Sequence, residues 1–148
     1  MTAEELLERY AAGERDFSGV DLNGLDLSGT ELRCIILRGA DLRGASFQDS
    51  DLSGYWKKPS LIIHSDFRET NCCGADFSGA TIEILDFSNA ILTGASFSGA
   101  VLDKVKFIDA NLVDVDWFEC QIWRATMESA ITDDGLDDII WTDWTKGR

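Results

Sequence analysis

Basic residues are scarce in this chain. It contains 13 lysines and arginines against 27 aspartates and glutamates, which gives a formal net charge of −14. Because phosphate groups are bound by clustered Lys and Arg side chains, we do not expect the chain to bind nucleic acid directly. The charge is compatible with solubility alone or with attraction to a basic protein surface.

Long apolar runs and the chemistry of a signal peptide are missing as well. No stretch approaches the roughly 20 apolar residues of a membrane-spanning helix, and the acidic residues 1–15 lack the basic start and apolar centre of a signal peptide. The four cysteines include no Cys-X-X-Cys pair and no Cys/His cluster, so we predict neither a zinc site nor a disulfide framework. We therefore expect a cytoplasmic protein without a membrane segment.

What the chain does have is a five-residue repeat from Phe17 to Met127. A large apolar residue stands at nearly every fifth position, often with a small residue two places before it, an acid directly before it and a glycine two places after it. Residues two apart on an extended segment share a face, so the small and the large residue point inwards. The following Ser-Gly or Arg-Gly pair is typical of a turn. Each pentad is thus predicted to form one straight side of a coil.

The aromatic residues indicate how many sides a coil has. Central positions 22, 32, 42 and every tenth residue up to 122 carry Leu, Ile or Cys, whereas every Phe or Trp that stands at a central position occupies one of the interleaved positions. This period of ten residues requires an even number of pentads per coil, and two sides cannot enclose side chains. We predict about six four-sided coils, stacked about 4.8 Å apart by parallel ladders. One column would hold Phe47, Phe67, Phe87 and Phe107, and the opposite one Phe77, Phe97 and Trp117.

The repeat resembles that of the pentapeptide-repeat family. The family motif A(D/N)LXX is matched by residues 40–44 (ADLRG) and 75–79 (ADFSG), and the resemblance covers residues 15–129. It implies an all-β solenoid, a right-handed quadrilateral parallel β-helix, which agrees with the four-sided coil. It implies no particular activity, because most members have none known.

Two segments flank the repeat. Residues 1–14 are predicted to form an amphipathic helix, with Thr2 as its N-cap, that either caps the stack or serves as a partner-binding arm. Residues 130–148 are predicted to form a C-terminal cap with a short helix. The resemblance to dimeric members allows a homodimer seam there instead of a monomer's lid. The candidate residues for the cap or seam are Phe118, Trp123, Ile139, Ile140, Trp141 and Trp144.

The repeat is irregular at residues 55–60, where Lys57 takes a central position and Pro59 a corner. Because the five-residue phase and the aromatic alternation continue on both sides, we predict a bulge that leaves the number of residues per turn unchanged. The bulge is either tolerated or a contact loop anchored by Trp56, since Trp is favoured at binding hot spots. The candidate interaction loop comprises Tyr55, Trp56, Lys57, Lys58, Leu61 and Ile63.

Acidic side chains are predicted to line the side of the rod that carries the Phe47–Phe107 column. This candidate acidic stripe comprises Asp26, Asp49, Asp66, Glu69, Asp86, Asp109 and Glu128. It is either a solvated face or an imitation of duplex phosphates towards a basic cleft, as in the resembling quinolone-resistance members that act on DNA gyrase. A duplex carries one charge per about 1.7 Å, far denser than about one acid per coil.

The sequence shows no arrangement suited to catalysis. His64 is the only histidine and stands at a predicted corner beside turn serines, while the acids occupy outward positions. We therefore predict a non-catalytic interaction scaffold for an unknown protein partner, without cofactor or metal. The alternative is an acidic DNA mimic that modulates a nucleic-acid enzyme such as DNA gyrase.

Overall fold

The computed structural model describes residues 1–58, 61–133 and 140–141, with only the backbone described at 55–58, 61–63 and 140–141. Within these residues, one helix, α1 (Ala3–Ala11), precedes eight short strands. The strands are β1 (Tyr55–Lys58), β2 (Leu61–Ile63), β3 (Ser65–Asp66), β4 (Thr81–Glu83), β5 (Leu85–Asp86), β6 (Val101–Asp103), β7 (Gln121–Trp123) and β8 (Ile140–Trp141).

Parallel pairing along four separate columns makes the coils four-sided. Asp16 pairs with Ile36 and Asp26 with Ser46, 20 positions apart, and the pairs β3–β5, β4–β6 and β6–β7 repeat this spacing. We number the sides walls 1 to 4. Their central residues are Phe17, Leu37, Phe67, Phe87 and Phe107 (wall 1), Leu22, Leu42, Cys72, Leu92 and Leu112 (wall 2), Leu27, Phe47, Phe77, Phe97 and Trp117 (wall 3), and Leu32, Leu52, Ile82, Leu102 and Ile122 (wall 4). The predicted four-sided parallel coil is confirmed.

The central residues fill the interior of the coils, and each of them is at most 2% exposed. Aromatic rings of walls 1 and 3 meet edge to face across the axis, as between Phe87 and Phe97 with ring centroids 5.9 Å apart. Along one wall, Phe67 and Phe87 are neighbours at 5.2 Å. The predicted alternation of aromatic and aliphatic walls is therefore confirmed.

One coil is ten residues longer than the others. Ile36 pairs with Asp66, and Asp51 with Thr81, across 30 positions. The additional length lies between Gly54 on wall 4 and Ser65 on wall 1, where β1 and β2 pair as an antiparallel hairpin. The prediction that the irregular segment leaves the number of residues per turn unchanged was wrong, and Lys57 is not a central residue of a wall.

The hairpin changes the wall on which Phe47 lies. Ten residues are two pentads, or half a coil, so everything before the hairpin is shifted by two walls relative to the prediction. Phe47 stacks on Phe77, with centroids 5.3 Å apart and ring planes at 5°. It therefore belongs to the column of Phe77, Phe97 and Trp117, and its predicted place in the Phe67 column was wrong.

The corners are tight turns with one residue in the left-handed region. In the turn after Leu37, the amide of Ala40 donates to the carbonyl of Leu37 at 2.9 Å, and Gly39 has φ 66°. Glycine adopts this conformation without a Cβ penalty. The same corner position elsewhere carries other residues, among them Ile84 (φ 57°) and Lys104 (φ 54°).

The two ends of the stack differ in how well they were predicted. In α1, Oγ1 of Thr2 accepts a hydrogen bond from the amide of Glu5 at 3.1 Å, so the predicted N-cap is confirmed. At the other end, Ile140 and Trp141 form β8, which pairs in parallel with β7, so the helix predicted there is wrong for these two residues. Ile139 and Trp144 lie outside the described residues.

Candidate interaction surfaces

The acid before a central residue has a local structural role. Oδ1 of Asp76 accepts a hydrogen bond from the amide of Ser78 at 2.8 Å, and Asp26 receives one from Ser28 in the same way. The Ser28 hydroxyl and amide together lower the pKa of Asp26. In pentads with Asp or Asn before the central residue, an outward amide at the start of the turn is thus satisfied by that side chain. Sequence reasoning assigned these acids only to solvent; the signal was the exchange of Asp for Asn in the motif, since both carry an acceptor oxygen.

Replacing Asp76 separates this turn bond from charge. Asp76→Ala should lower the free energy of unfolding by about 1 kcal/mol, because it leaves the Ser78 amide without its acceptor. Asp76→Asn should change it by less than about 0.5 kcal/mol, since Asn71 and Asn111 form the same bond in their own pentads. Urea unfolding of the two variants measures the difference. Equal losses would mean that the carboxylate acts through its charge.

The acidic stripe does not form one surface. Asp66, Glu69, Asp86, Asp109 and Glu128 belong to wall 1 or its corner, whereas Asp26 and Asp49 belong to wall 3 on the opposite side. Their predicted grouping was wrong because the hairpin shifts the earlier coils by two walls.

Wall 1 is also partly neutralised. Arg68 pairs with Asp66 at 2.6 Å and Arg38 with Glu69 at 2.7 Å. Burial opposes ionisation of Asp66, but the hydrogen bonds from Arg68 outweigh it and lower the pKa of the carboxyl. Exposed pairs of this kind add little stability, but they reduce the negative field of the wall.

Wall 3 is the side on which the acids are uncompensated. Its outward and corner positions hold no Lys or Arg in any described pentad from residue 25 to 119. The spaces between the acids carry serines, and two hydroxyl pairs, Ser28–Ser46 and Ser78–Ser96, bridge neighbouring coils at 2.7 and 2.9 Å. The acids of wall 3 are Asp26, Asp49, Asp76, Asp116 and Glu119.

The candidate interaction loop coincides with the hairpin. In its register Tyr55 lies opposite Ile63, Trp56 opposite Ile62 and Lys58 opposite Leu61. The coil continues beneath it, because the amide of Leu52 donates to Thr81 at 3.0 Å and that of Asp66 to Ile35 at 3.0 Å. The hairpin is thus attached to an uninterrupted stack.

The C-terminal candidates are only partly described. Phe118 is 61% exposed on wall 3 and Trp123 is 44% exposed on wall 4, so their predicted outward direction is confirmed. They lie on adjacent walls of the last complete coil. Ile140 and Trp141 continue wall 4 through β8.

The remaining reactive groups are structural. Burial raises the pKa of the Cys72 and Cys120 thiols to about 12, and none of the four cysteines, all within the described residues, forms a disulfide. The described part of the chain contains no group of side chains arranged to hold a metal ion. It also contains no helix with the length and apolarity needed to cross a membrane.

Comparison with solved structures found several similar proteins, of which the first below supports the fold. A pentapeptide repeat protein, Rfr23, from the cyanobacterium Cyanothece 51142 has 17% identity, with 93% of this chain and 99% of that chain covered and a TM-score of 0.51. A pentapeptide repeat protein from the thylakoid lumen of Arabidopsis thaliana has 33% identity over 72% of this chain and 63% of that chain, with a TM-score of 0.39. QnrB1, a plasmid-mediated fluoroquinolone resistance protein, has 16% identity over 80% of this chain and 82% of that chain, with a TM-score of 0.43.

Comparison of the sequence with protein-family models identifies the repeat, although no curated protein matches the sequence. The family model for pentapeptide repeats matches in 8 copies, over residues 16–54 and 85–116. These two ranges lie on either side of the hairpin, in regular coils of the stack. With its four-walled parallel coils and its A(D/N)LXX pentads, the chain belongs to the pentapeptide-repeat family.

Proposed function

We propose that the protein is a non-catalytic scaffold of about six coils that binds a protein partner through the β1–β2 hairpin. The observation that carries this proposal is that the hairpin interrupts a coil without interrupting the ladders. Insertions in solenoid repeats map to loops on one face, which is often the binding face, and loops on rigid frameworks commonly carry function. Because the ladders run past the hairpin without it, we assign the hairpin to partner binding.

The residues that flank the hairpin support its being an insertion. Residues 50–54 (SDLSG) and 65–69 (SDFRE) read as two consecutive pentads. Oγ of Ser65 is buried without a hydrogen-bond partner, whereas Oγ of Ser50 and Oγ1 of Thr70, in the same position of their pentads, donate to the carbonyl three residues earlier. With residues 55–64 removed, that carbonyl would belong to Leu52, and Ser65 would regain the bond.

Excision of residues 55–64 should therefore leave the protein folded and abolish partner binding. Joining Gly54 to Ser65 restores a 20-residue coil, with glycine already at the corner. We expect a free energy of unfolding within about 1 kcal/mol of that of the intact chain, because the Ser65 hydrogen bond is gained while any packing of the hairpin on the coil is lost. Circular dichroism and urea unfolding test the fold. Affinity capture with the intact chain as bait, followed by binding measurements on each captured protein, tests the function.

Two point variants make this test specific. Trp56→Ala, in the hairpin, should weaken partner binding at least about tenfold if Trp56 is an anchor. Ile91→Ala removes an exposed apolar side chain on wall 2, outside the hairpin and the candidate dimer surface, and should leave binding unchanged. A partner that binds the folded excision variant as well as the intact chain refutes the proposal.

We further propose that α1 is a cap rather than a binding arm. Leu6 is fully buried and belongs to the core, and the hydroxyl of Tyr10 donates to the carbonyl of Arg33 at 2.8 Å.

A homodimer through the C-terminal end is supported by exposed Phe118 and Trp123. Sedimentation should then show a dimer that Trp123→Ala converts to monomer; an intact chain that is already monomeric excludes it.

Wall 3 favours a second candidate, the acidic DNA mimic. Its five acids without a cation present a negative surface to a basic cleft of a nucleic-acid enzyme such as DNA gyrase. A supercoiling assay with added protein should then show dose-dependent inhibition or protection. The combined variant Asp26→Asn, Asp76→Asn and Asp116→Asn keeps an acceptor for each turn amide and should lose the effect. An effect that survives these substitutions would exclude wall 3 as its source.

A further inference from the structure

The corner between walls 4 and 1 is buried at positions that elsewhere face water. Cys34 is 8%, Ser53 2% and Ile84 3% exposed, although all three stand after a central residue, on the outside of the coil. In later coils the corner position of Ile84 is taken by Lys104 and Arg124, which are half-buried and exposed. Two neighbours explain part of this burial, because the hydroxyl of Tyr10 donates to the carbonyl of Arg33 beside Cys34, and Oγ of Ser53 accepts a hydrogen bond from the amide of Glu83 at 3.0 Å. The burial of Ile84 indicates a further cover next to the hairpin, which the exposed Arg124 at the same corner position lacks.

The backbone of Ile84 indicates the same cover. Its φ of 57° lies in the left-handed region, where a β-branched residue is an outlier. Lys104 and Arg124 adopt the same φ with unbranched side chains. Such a conformation persists where surrounding contacts compensate for it. Burial of the β-branched Ile84 side chain supplies a compensation that the unbranched side chains of Lys104 and Arg124 do not need.

The hairpin is attached at this corner. Its two ends are joined to Gly54, whose amide donates to Glu83, and to Ser65, whose amide donates to the carbonyl of Ile84 at 3.1 Å. Cys34 lies one coil away, with its amide on the carbonyl of Ser53 at 3.0 Å. The buried outward positions thus surround the hairpin's points of departure and return.

We propose that the β1–β2 hairpin folds back over this corner, on a seat formed by Cys34, Ser53 and Ile84. A two-stranded hairpin alone is marginally stable in water, and the seat gives it an apolar surface to pack on. The hairpin is then held in one pose before a partner arrives, which reduces the ordering cost of binding. Only this last consequence rests on the proposed function; the packing does not.

The reactivity of Cys34 towards a maleimide probe tests the seat. In the intact chain Cys34 should react slowly, and excision of residues 55–64 should accelerate its modification by about tenfold or more, because the thiol becomes accessible. Buried Cys72 and Cys120 should stay protected in both chains, which verifies that the excised chain is folded. Mass spectrometry of the modified peptides gives the rate of maleimide modification at each cysteine. Because Tyr10 also lies beside Cys34, the comparison is repeated with Tyr10→Ala in both chains. A Cys34 that reacts equally slowly in these two folded chains overturns the proposal.

A second measurement keeps the hairpin in place. Ile84→Gly removes the seat's largest side chain and suits the left-handed backbone, so it should not unfold the stack. Amide hydrogen exchange in residues 55–58 and 61–63 should become about tenfold faster, since the apolar contact is lost. Lys104→Gly, at the same corner one coil later, should leave that exchange unchanged. If the Ile84→Gly and Lys104→Gly variants exchange at the same rate, the hairpin does not pack on the seat. If the excision variant exposes Cys34 but binds the partner as well as the intact chain does, only the proposed function is contradicted.

Discussion

Replacing Phe77 with alanine is expected to lower the free energy of unfolding by about 3–5 kcal/mol. Phe77 is fully buried at the centre of the aromatic core. Its ring stacks between Phe47 and Phe97, at 5.3 and 4.9 Å, and meets Phe67 and Phe87 edge to face. Removing the ring opens a cavity that the ladders keep from collapsing, because neighbouring backbones are hydrogen-bonded to each other. Urea or thermal unfolding followed by circular dichroism measures the loss.

Two substitutions on the same wall serve as controls. Phe77→Leu should cost about 1–1.5 kcal/mol, since wall 1 accommodates Leu37 between Phe17 and Phe67 and the volume change is smaller. Phe118→Ala, on the outer surface of wall 3, should change stability by less than about 0.5 kcal/mol. A loss below 1 kcal/mol for Phe77→Ala would show that the interior is not tightly packed there.

The four-walled architecture could be predicted because its causes are local and periodic. The two-residue period of a strand turns Ala75 and Phe77 inwards together, and the Ser-Gly pair after Phe77 ends the side in a turn. Restriction of the aromatic residues to alternate pentads then excludes odd numbers of sides. The N-cap formed by Thr2 also depends only on neighbouring residues, and its prediction is confirmed.

The hairpin could not be located from the same pattern. Ten residues are one full period of the aromatic alternation, so Phe47 and Phe67 keep their phase whether or not residues 55–64 belong to the stack. The prediction therefore failed on the wall of Phe47 and, with it, on the acidic stripe. A surface of a solenoid depends on the absolute count of residues between coils, and one insertion reassigns every side chain before it.

The roles of the site residues were less predictable than the walls. That Asp76 holds the amide of Ser78 follows from a specific side-chain geometry, which the alternation of inward and outward positions does not contain. Burial of Ile84 at an outward position depends on what lies over the corner, and periodicity describes only the coil itself. Sequence reasoning did recognise residues 55–60 as irregular, because a lysine stood at a central position.

Removal of one complete coil, residues 85–104, should give a shorter protein that still folds. Ile84 would join Val105, Phe67 would lie next to Phe107, and Phe77 next to Trp117, so every wall keeps its type of residue. Solenoid stability is approximately a sum over repeats and their interfaces, so the variant should lose a fraction of the stability and keep a cooperative transition. Its denaturant m-value should fall in proportion to the surface removed.

Removal of the single pentad 85–89 should be far more damaging, although it deletes a quarter as many residues. The pentads that follow would each move by one wall, which places Phe97 next to Cys72 on wall 2 and Leu102 next to Phe77 on wall 3. Overpacked positions cost about 1–3 kcal/mol each, and underfilled ones a similar amount. Four mismatched walls at one junction should together cost on the order of 5 kcal/mol, which is comparable to the whole stability of a domain. If the pentad variant unfolds at the same urea concentration as the coil variant, with a sharp transition, the alternation of aromatic and aliphatic walls is not what fixes the register of the stack.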